Sequence, residues 1–76
     1  MYGPKAKRAA FRYIQSILNT KEKMKLDKMV AEIVTLFWLN EETIKKLIGY
    51  QVALDRCYIE DGIVHSLVCY KINNKK

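Results

Sequence analysis

Hydrophobic residues recur with helical spacing at the start of the chain. Between residue 4 and about residue 18, the apolar positions fall on one side of a helix and basic or polar residues fall on the other. Pro4 stands near the first turn, where a proline is tolerated because the amide it lacks has no helical partner there. The pattern predicts an amphipathic helix with a basic outer face. Its expected core side consists of Ala10, Phe11, Ile14, Ile17 and Leu18.

Two more helices are predicted in the middle of the chain. Residues 27 to about 37 are apolar around most of the helix, which indicates a helix covered on several sides, with Asp27 as its N-cap. Asn40 followed by two acidic residues predicts an N-cap and the start of a third helix, which we expect to reach about Arg56. Phe37 and Trp38, at the turn between these helices, are expected to be buried.

The hydrophobic period changes to two near the end of the chain. Two β-prone runs, 57–60 and 63–70, flank Asp61-Gly62, a pair that favours a type I′ turn because both central residues need positive φ. A two-residue turn places Tyr58 opposite His65, as an expected surface pair. Residues 24–26, in the lysine-rich connection between the first two helices, fit a short additional edge strand.

The pairing of the hairpin strands also decides whether Cys57, His65 and Cys69 can form a metal site, as their residue types suggest at first sight. Strand alternation places His65 and Cys69 on one face of the hairpin and Cys57 on the other. We therefore predict neither a metal site nor a Cys57–Cys69 disulfide. The lone histidine has no evident nucleophile beside it, and the glycines form no phosphate-binding loop, so no enzyme activity, cofactor or small-molecule substrate is expected.

Length and composition limit the possible functions. The chain has 76 residues, half of them hydrophobic, which predicts one small domain over residues 4–72 and a disordered basic tail at 73–76. No signal peptide or membrane-spanning run is apparent, and two cysteines are too few for a disulfide framework. A cytoplasmic protein is expected.

Positive charge is concentrated in the first third of the chain. The formal net charge is +6, and the first thirty residues hold eight basic side chains against two acidic ones. Residues 31–70 hold three basic side chains against six acidic ones, and the tail is basic again. This balance favours a polyanionic partner.

The order of predicted elements resembles that of the winged helix-turn-helix family over residues 6–72. The resemblance depends on residues 26–31 entering the second helix, 39–48 entering the third, and 58–64 as the wing. The small size and abundant lysine are also similar to those of regulators from archaea and archaeal viruses. The resemblance implies an α+β fold, with three helices followed by a two-stranded antiparallel wing and a short third strand near 24–26.

The resemblance also implies binding to double-stranded DNA by a transcriptional regulator, as a homodimer, with the third helix in the major groove. The acidic wing tip, Glu60-Asp61, makes insertion of that tip into the minor groove unfavourable. Phosphate contacts are therefore expected from the first helix and the 21–28 segment. The candidate DNA-binding residues are Lys45, Lys46, Gly49, Tyr50 and Arg56 on the third helix, with Arg8, Arg12, Lys21, Lys23, Lys25 and Lys28 on phosphates.

Two alternative functions fit the same sequence. The first is a protein-interaction winged helix that docks through its third helix or through the outer hairpin face of Ile63, Leu67 and Cys69. The second is a chromatin protein that binds DNA without sequence preference.

Overall fold

Three helices pack against a three-stranded antiparallel sheet in the computed structural model, which describes residues 4–69. This confirms the α+β class and the predicted order of elements. Residues 70–72 of the expected domain and the predicted tail at 73–76 lie outside the described residues. The elements are α1 (Pro4–Thr20), β1 (Lys23–Lys25), α2 (Leu26–Phe37), α3 (Glu41–Ala53), β2 (Cys57–Glu60) and β3 (Ile63–Ser66).

The sheet has the strand order β1-β3-β2, so β3 is central. Tyr58 pairs with His65 across β2 and β3, which confirms the predicted hairpin register. Asp61 and Gly62 have φ values of 54° and 72°, as a type I′ turn requires. The third strand is also present, although it begins at Lys23, one residue before the predicted start.

The core lies between the three helices and the inner face of the sheet. The outer face of α1 carries exposed basic residues, as predicted. Fully or almost fully buried side chains come from every helix, and Met24 and Val64 contribute from the sheet. The largest apolar side chains of this core are Ile14, Leu18, Met29, Ile33, Ile44 and Ile48.

The predicted cap of α2 is wrong. The helix begins at Leu26 rather than after Asp27, and Lys25 holds the N-cap position without a side-chain hydrogen bond. The Leu26 amide instead donates to the carbonyl oxygen of Gly62, at 2.9 Å. The hairpin turn thus satisfies one of the free amides at the start of α2, and Asp27 lies in the first turn, where the helix dipole favours an acid.

At the end of α2 the two aromatic residues have different environments. Phe37 is half-buried and packs edge-on against Tyr13, with ring centroids 5.7 Å apart, as expected of a core residue. Trp38 takes a left-handed conformation, with φ 58°, and its side chain is 69% exposed. The prediction that Trp38 is buried is therefore wrong.

The third helix is shorter than predicted. It ends at Ala53, because Asp55 adopts a φ of 61°, outside the helical region. Leu54 and Asp55, which a continuous helix would place on its core side, are exposed. The Arg56 amide returns to the carbonyl of Gln51, at 3.0 Å, and the chain then enters β2.

The chain also changes direction after β3. The Ser66 hydroxyl donates to the carbonyl of Leu18 and accepts from the amide of Val68, which joins this end of the sheet to α1. Strand alternation therefore stops at Ser66, and Cys69 is buried. The prediction that Cys69 lies on the outer hairpin face is wrong. Cys57 and Cys69 are both free thiols.

None of the helices over residues 4–69 combines the length and the hydropathy needed to cross a bilayer.

Candidate nucleic-acid interface

Packing and capping fix which side of α3 faces solvent. The Asn40 side chain accepts a hydrogen bond from the Thr43 amide at 2.8 Å, so the predicted N-cap is confirmed. The inward side chains of the helix are all buried, and they are Ile44, Leu47, Ile48 and Gln51. With four positions fixed in the core, the opposite side of α3 is held outward.

The outward side of α3 brings four of the predicted site residues together. Lys45, Lys46, Gly49 and Tyr50 are exposed, and the Tyr50 side chain is 57% accessible. A Cβ atom built on Gly49 would meet no heavy atom within 4 Å. The helix backbone is therefore open to solvent beside two ammonium groups and an aromatic ring. We call these four residues the α3 face.

Arg56 does not belong to the α3 face. It follows the end of the helix, is half-buried, and donates from its guanidinium to Asn19 Oδ1 on α1, at 3.3 Å. The prediction that Arg56 extends this face is wrong because it required a continuous helix to residue 56.

The lysine-rich segment lies mostly at the edge of the sheet. Lys21, Lys23 and Lys25 are exposed, and the last two alternate with buried Met24 in β1. Lys23 pairs with His65 and Lys25 pairs with Ile63. Both lysines therefore project from the outer face of the sheet, because directly paired residues share a face. Lys28 is also exposed but lies in α2.

A row of side chains crosses the outer face of the sheet. Lys23, His65 and Tyr58 occupy matching positions on β1, β3 and β2. The rings of His65 and Tyr58 are stacked, with centroids 4.8 Å apart. The surface pair of these two residues was predicted from the hairpin. The place of Lys23 beside them was not, because it depends on pairing between strands about forty residues apart in sequence.

The remaining candidate cations lie on α1. Arg8 and Arg12 are exposed one helical turn apart, as the periodicity predicted. The exposed candidate residues thus occupy four places, namely the α3 face, strand β1 with the preceding Lys21, Lys28 on α2, and the outer side of α1, whereas Arg56 is half-buried between α3 and β2. The hairpin tip contributes no cation, since Glu60, Asp61 and Gly62 are its exposed residues.

Two titratable groups have shifted pKa values. Burial raises the pKa of the Cys57 thiol, an effect that the nearby Arg56 charge partly opposes. The pKa of Tyr13 is raised by burial and by Glu32, whose Oε1 accepts from the phenol at 3.3 Å. Both groups are thus protonated at neutral pH.

No three His, Cys, Asp or Glu residues within 4–69 are grouped so that they could hold a metal ion.

A buried polar residue lies on the core side of α3, opposite the α3 face. Gln51 is completely buried, and neither its amide nitrogen nor its amide oxygen has a hydrogen-bond partner within residues 4–69. The Nε of Arg56 is also buried without a partner in this part of the chain. Periodicity placed Gln51 on the core side of α3, but gave no sign that its amide would be unpaired.

Comparison of the chain with protein-family models, with curated proteins and with solved structures found no match.

Proposed function

We propose that this protein is a winged-helix transcriptional regulator that binds double-stranded DNA with α3 in the major groove. The arrangement of elements supports the fold assignment. The order α1-β1-α2-α3-β2-β3, the strand order β1-β3-β2 and the Asp61-Gly62 turn are all features of a winged helix. In that fold the helix before the wing is the one that enters the groove.

The α3 face is the observation that carries the proposal. Its exposed side offers Lys45 and Lys46 for phosphates or guanine edges, and Tyr50 for contact with sugar or base. The open backbone at Gly49 lets the helix approach a groove closely. A surface that only needed to be soluble would have no use for glycine here, since it lowers helix stability by about 1 kcal/mol relative to alanine.

The other candidate cations would act on the DNA backbone. Lys21, Lys23 and Lys25 border the sheet, and Arg8 and Arg12 line the outer side of α1. The acidic tip of the hairpin would be repelled by phosphates, so in this proposal the wing approaches DNA through its lysine-bearing edge. Arg56 has no part in it, because its guanidinium is bound to Asn19.

Selection of bound fragments from random duplex DNA tests the proposal directly. Fluorescence anisotropy with a selected duplex then measures affinity as a function of salt. We expect Lys45→Ala and Lys46→Ala each to weaken binding and to lower the slope of log K against log salt by about 1, if each lysine neutralises one phosphate. Lys7→Ala is the matched control, because it removes an exposed charge from a different side of α1 than Arg8 and Arg12.

The outcomes separate the possible functions. Enrichment of one sequence, with loss of affinity in the α3 variants but not in Lys7→Ala, supports the proposal. Equal affinity for unrelated duplexes would instead indicate a chromatin protein without sequence preference. Absence of binding to any duplex would overturn DNA binding altogether.

A further inference from the structure

Helix α2 has one side that no other element within residues 4–69 covers. Lys28, Ala31, Thr35 and Trp38 are exposed along it, and we call these four residues the α2 stripe. The first three are spaced by three and four residues, which places them on one side of α2 and is the spacing of a coiled-coil seam, and Trp38 follows directly after the end of the helix. Trp38 is 69% exposed, and the neighbouring Leu36 is 54% exposed. Both values are high for large apolar side chains.

Grooves run along both sides of the α2 stripe. One groove, of about 470 Å³, separates α2 from Tyr13 on α1, and the other, of about 480 Å³, separates α2 from Leu39 and Glu41 at the start of α3. Ala31 and Thr35 line both grooves and form the low ridge between them. The Thr35 hydroxyl donates to the Ala31 carbonyl at 2.9 Å, so the polar group of this ridge is already hydrogen-bonded.

We propose that the α2 stripe is a homodimer interface in which two copies of α2 pack antiparallel about a two-fold axis. With the axis level with Ile33, Ala31 lies opposite the partner's Thr35, and Lys28 lies opposite the partner's Trp38. The two pairs are consistent with one axis, because residues 31 and 35 and residues 28 and 38 are both centred on residue 33. The smaller side chains therefore meet at the centre, where helices approach most closely, and the large ones meet at the two ends.

Charge complementarity favours a second copy over another kind of partner. The last turn of α2 contains no basic residue, so the partial negative charge of its C-terminal carbonyls has no cation of its own. The antiparallel arrangement brings Lys28 of the other copy to this helix end. There it meets the ring of Trp38, a favourable cation–π partner, on the side of the molecule where Glu41 begins α3.

The surroundings of the stripe also disfavour a nucleic acid as its occupant. Three of the grooves' lining residues, Asp27, Glu32 and Glu41, are acidic, and Lys28 is their basic residue. The proposal therefore assigns Lys28 to the dimer instead of to phosphate contacts. Because α2 is only about 18 Å long, from 12 residues at 1.5 Å each, the helix pair is short and we expect a concentration-dependent dimer.

Sedimentation equilibrium of the full chain without DNA is the first test. We expect the mass to rise from that of the 8.9 kDa monomer toward twice this value as the protein concentration increases about 100-fold. Trp38 is the only tryptophan and is exposed in the monomer, so its fluorescence emission should shift to shorter wavelength over the same concentration range. Constant mass and unchanged emission at all concentrations would overturn the proposal.

Variants test the surface itself. Ala31→Arg places a bulky charge at the centre of the interface, and it should fold normally because Ala31 is exposed. We expect its dimer to be at least ten times weaker than the wild-type dimer, with an unchanged circular dichroism spectrum. Ala9→Arg is the matched control, since it makes the same exchange at an exposed position of α1. Equal dimerisation of Ala31→Arg and wild type would contradict the proposal.

Disulfide trapping tests the register. A mixture of Ala31→Cys and Thr35→Cys proteins should cross-link faster than either variant alone, because these positions face each other in the antiparallel pair. The natural thiols interfere little, since Cys57 and Cys69 are buried. Faster cross-linking of either variant with itself would overturn the register.

The proposal does not rest on DNA binding, because all these measurements are made on the protein alone. Anisotropy of Ala31→Arg with duplex DNA then examines the proposed function separately.

Discussion

Tyr58 and His65 lie opposite each other on β2 and β3, with their ring planes only 11° apart. The stack is on the outer face of the sheet, where Tyr58 is 44% exposed, so the core does not impose it. Its geometry follows from strand pairing, since directly opposed side chains in an antiparallel ladder are close enough for two rings to overlap. The pair therefore joins the two strands of the hairpin from the solvent side.

A double-mutant cycle on this pair should show favourable coupling. We expect Tyr58→Ala, His65→Ala and the double variant to give a coupling free energy of about 0.5–1 kcal/mol in urea unfolding, as measured for aromatic cross-strand pairs. A parallel cycle on Glu60 and Ile63, the next pair on the same face of the hairpin, should give a smaller value because no ring stack joins them. Strictly additive effects for Tyr58 and His65 would mean that the stack does not stabilise the hairpin.

Two glycines should respond in opposite ways to alanine. Gly49→Ala should raise the free energy of unfolding by about 1 kcal/mol, because its new methyl group meets only solvent and alanine is the better helix former. Gly62→Ala should lower it by about 1–2 kcal/mol, since φ at this position is 72°. Thermal or urea unfolding measures both changes, and destabilisation by Gly49→Ala would contradict the open environment described for that residue.

The same Gly49→Ala protein provides a test of the α3 face. If the helix backbone lies against a DNA groove, the added methyl group should weaken duplex binding although it stabilises the free protein. Anisotropy measures this change. Ala53→Gly is the reverse exchange at an exposed position on the last turn of α3, and it should lower stability with little effect on affinity. Unchanged affinity of Gly49→Ala would exclude close approach at this point.

Replacing the buried amide of Gln51, which has no hydrogen-bond partner within residues 4–69, should stabilise the protein. Burial of an amide without a hydrogen-bond partner costs about 1–3 kcal/mol, and methionine has a similar shape without polar hydrogens. We therefore expect Gln51→Met to raise the free energy of unfolding by about 1 kcal/mol or more. Gln15→Met is the control, because Gln15 is only half-buried and should change stability by less than about 0.5 kcal/mol. A less stable Gln51→Met protein would show that this amide is hydrogen-bonded in solution.

Stability should fall in mildly alkaline solution because of Cys57. Burial raises the pKa of this thiol, so the folded protein keeps a proton that the unfolded chain loses above about pH 8.5. The unfolded state then binds fewer protons, and the free energy of unfolding decreases as pH rises. We expect urea unfolding between pH 8.5 and 9.5 to show a steeper decrease for wild type than for Cys57→Ala. Equal slopes would contradict the raised pKa.

Features that depend on neighbouring residues could be predicted from the sequence. The Asp61-Gly62 turn fixes the hairpin register because two consecutive residues with positive φ determine which residues pair. The Asn40 cap involves an amide only three residues away. The α3 face likewise follows from helical periodicity, so Lys45 and Lys46 could be assigned to its exposed side from the sequence alone.

Features that depend on distant residues were missed. The Leu26 amide at the start of α2 is bonded by the Gly62 carbonyl rather than capped by Asp27, and Leu26 and Gly62 lie far apart in sequence. The end of α3 gave no sequence signal, since neither glycine nor proline follows the helix. Asp55 takes the left-handed conformation that glycine usually adopts at such a position. This early end moved Arg56 from the predicted DNA surface to Asn19. Strand alternation misplaced Cys69 because the hydrogen bonds of Ser66 lie outside the strand pattern.

The central position of β3 also constrains how the protein folds. This strand comes last of the three along the chain, yet β1 and β2 each pair with it and not with each other. Pairing of Lys23 with His65 closes a loop that contains both α2 and α3, which gives the sheet a large contact order for so small a protein. During synthesis on the ribosome, β1 therefore has no partner strand until β3 has emerged about forty residues later, whereas β2 lacks one only until the adjoining Asp61-Gly62 turn and β3 follow.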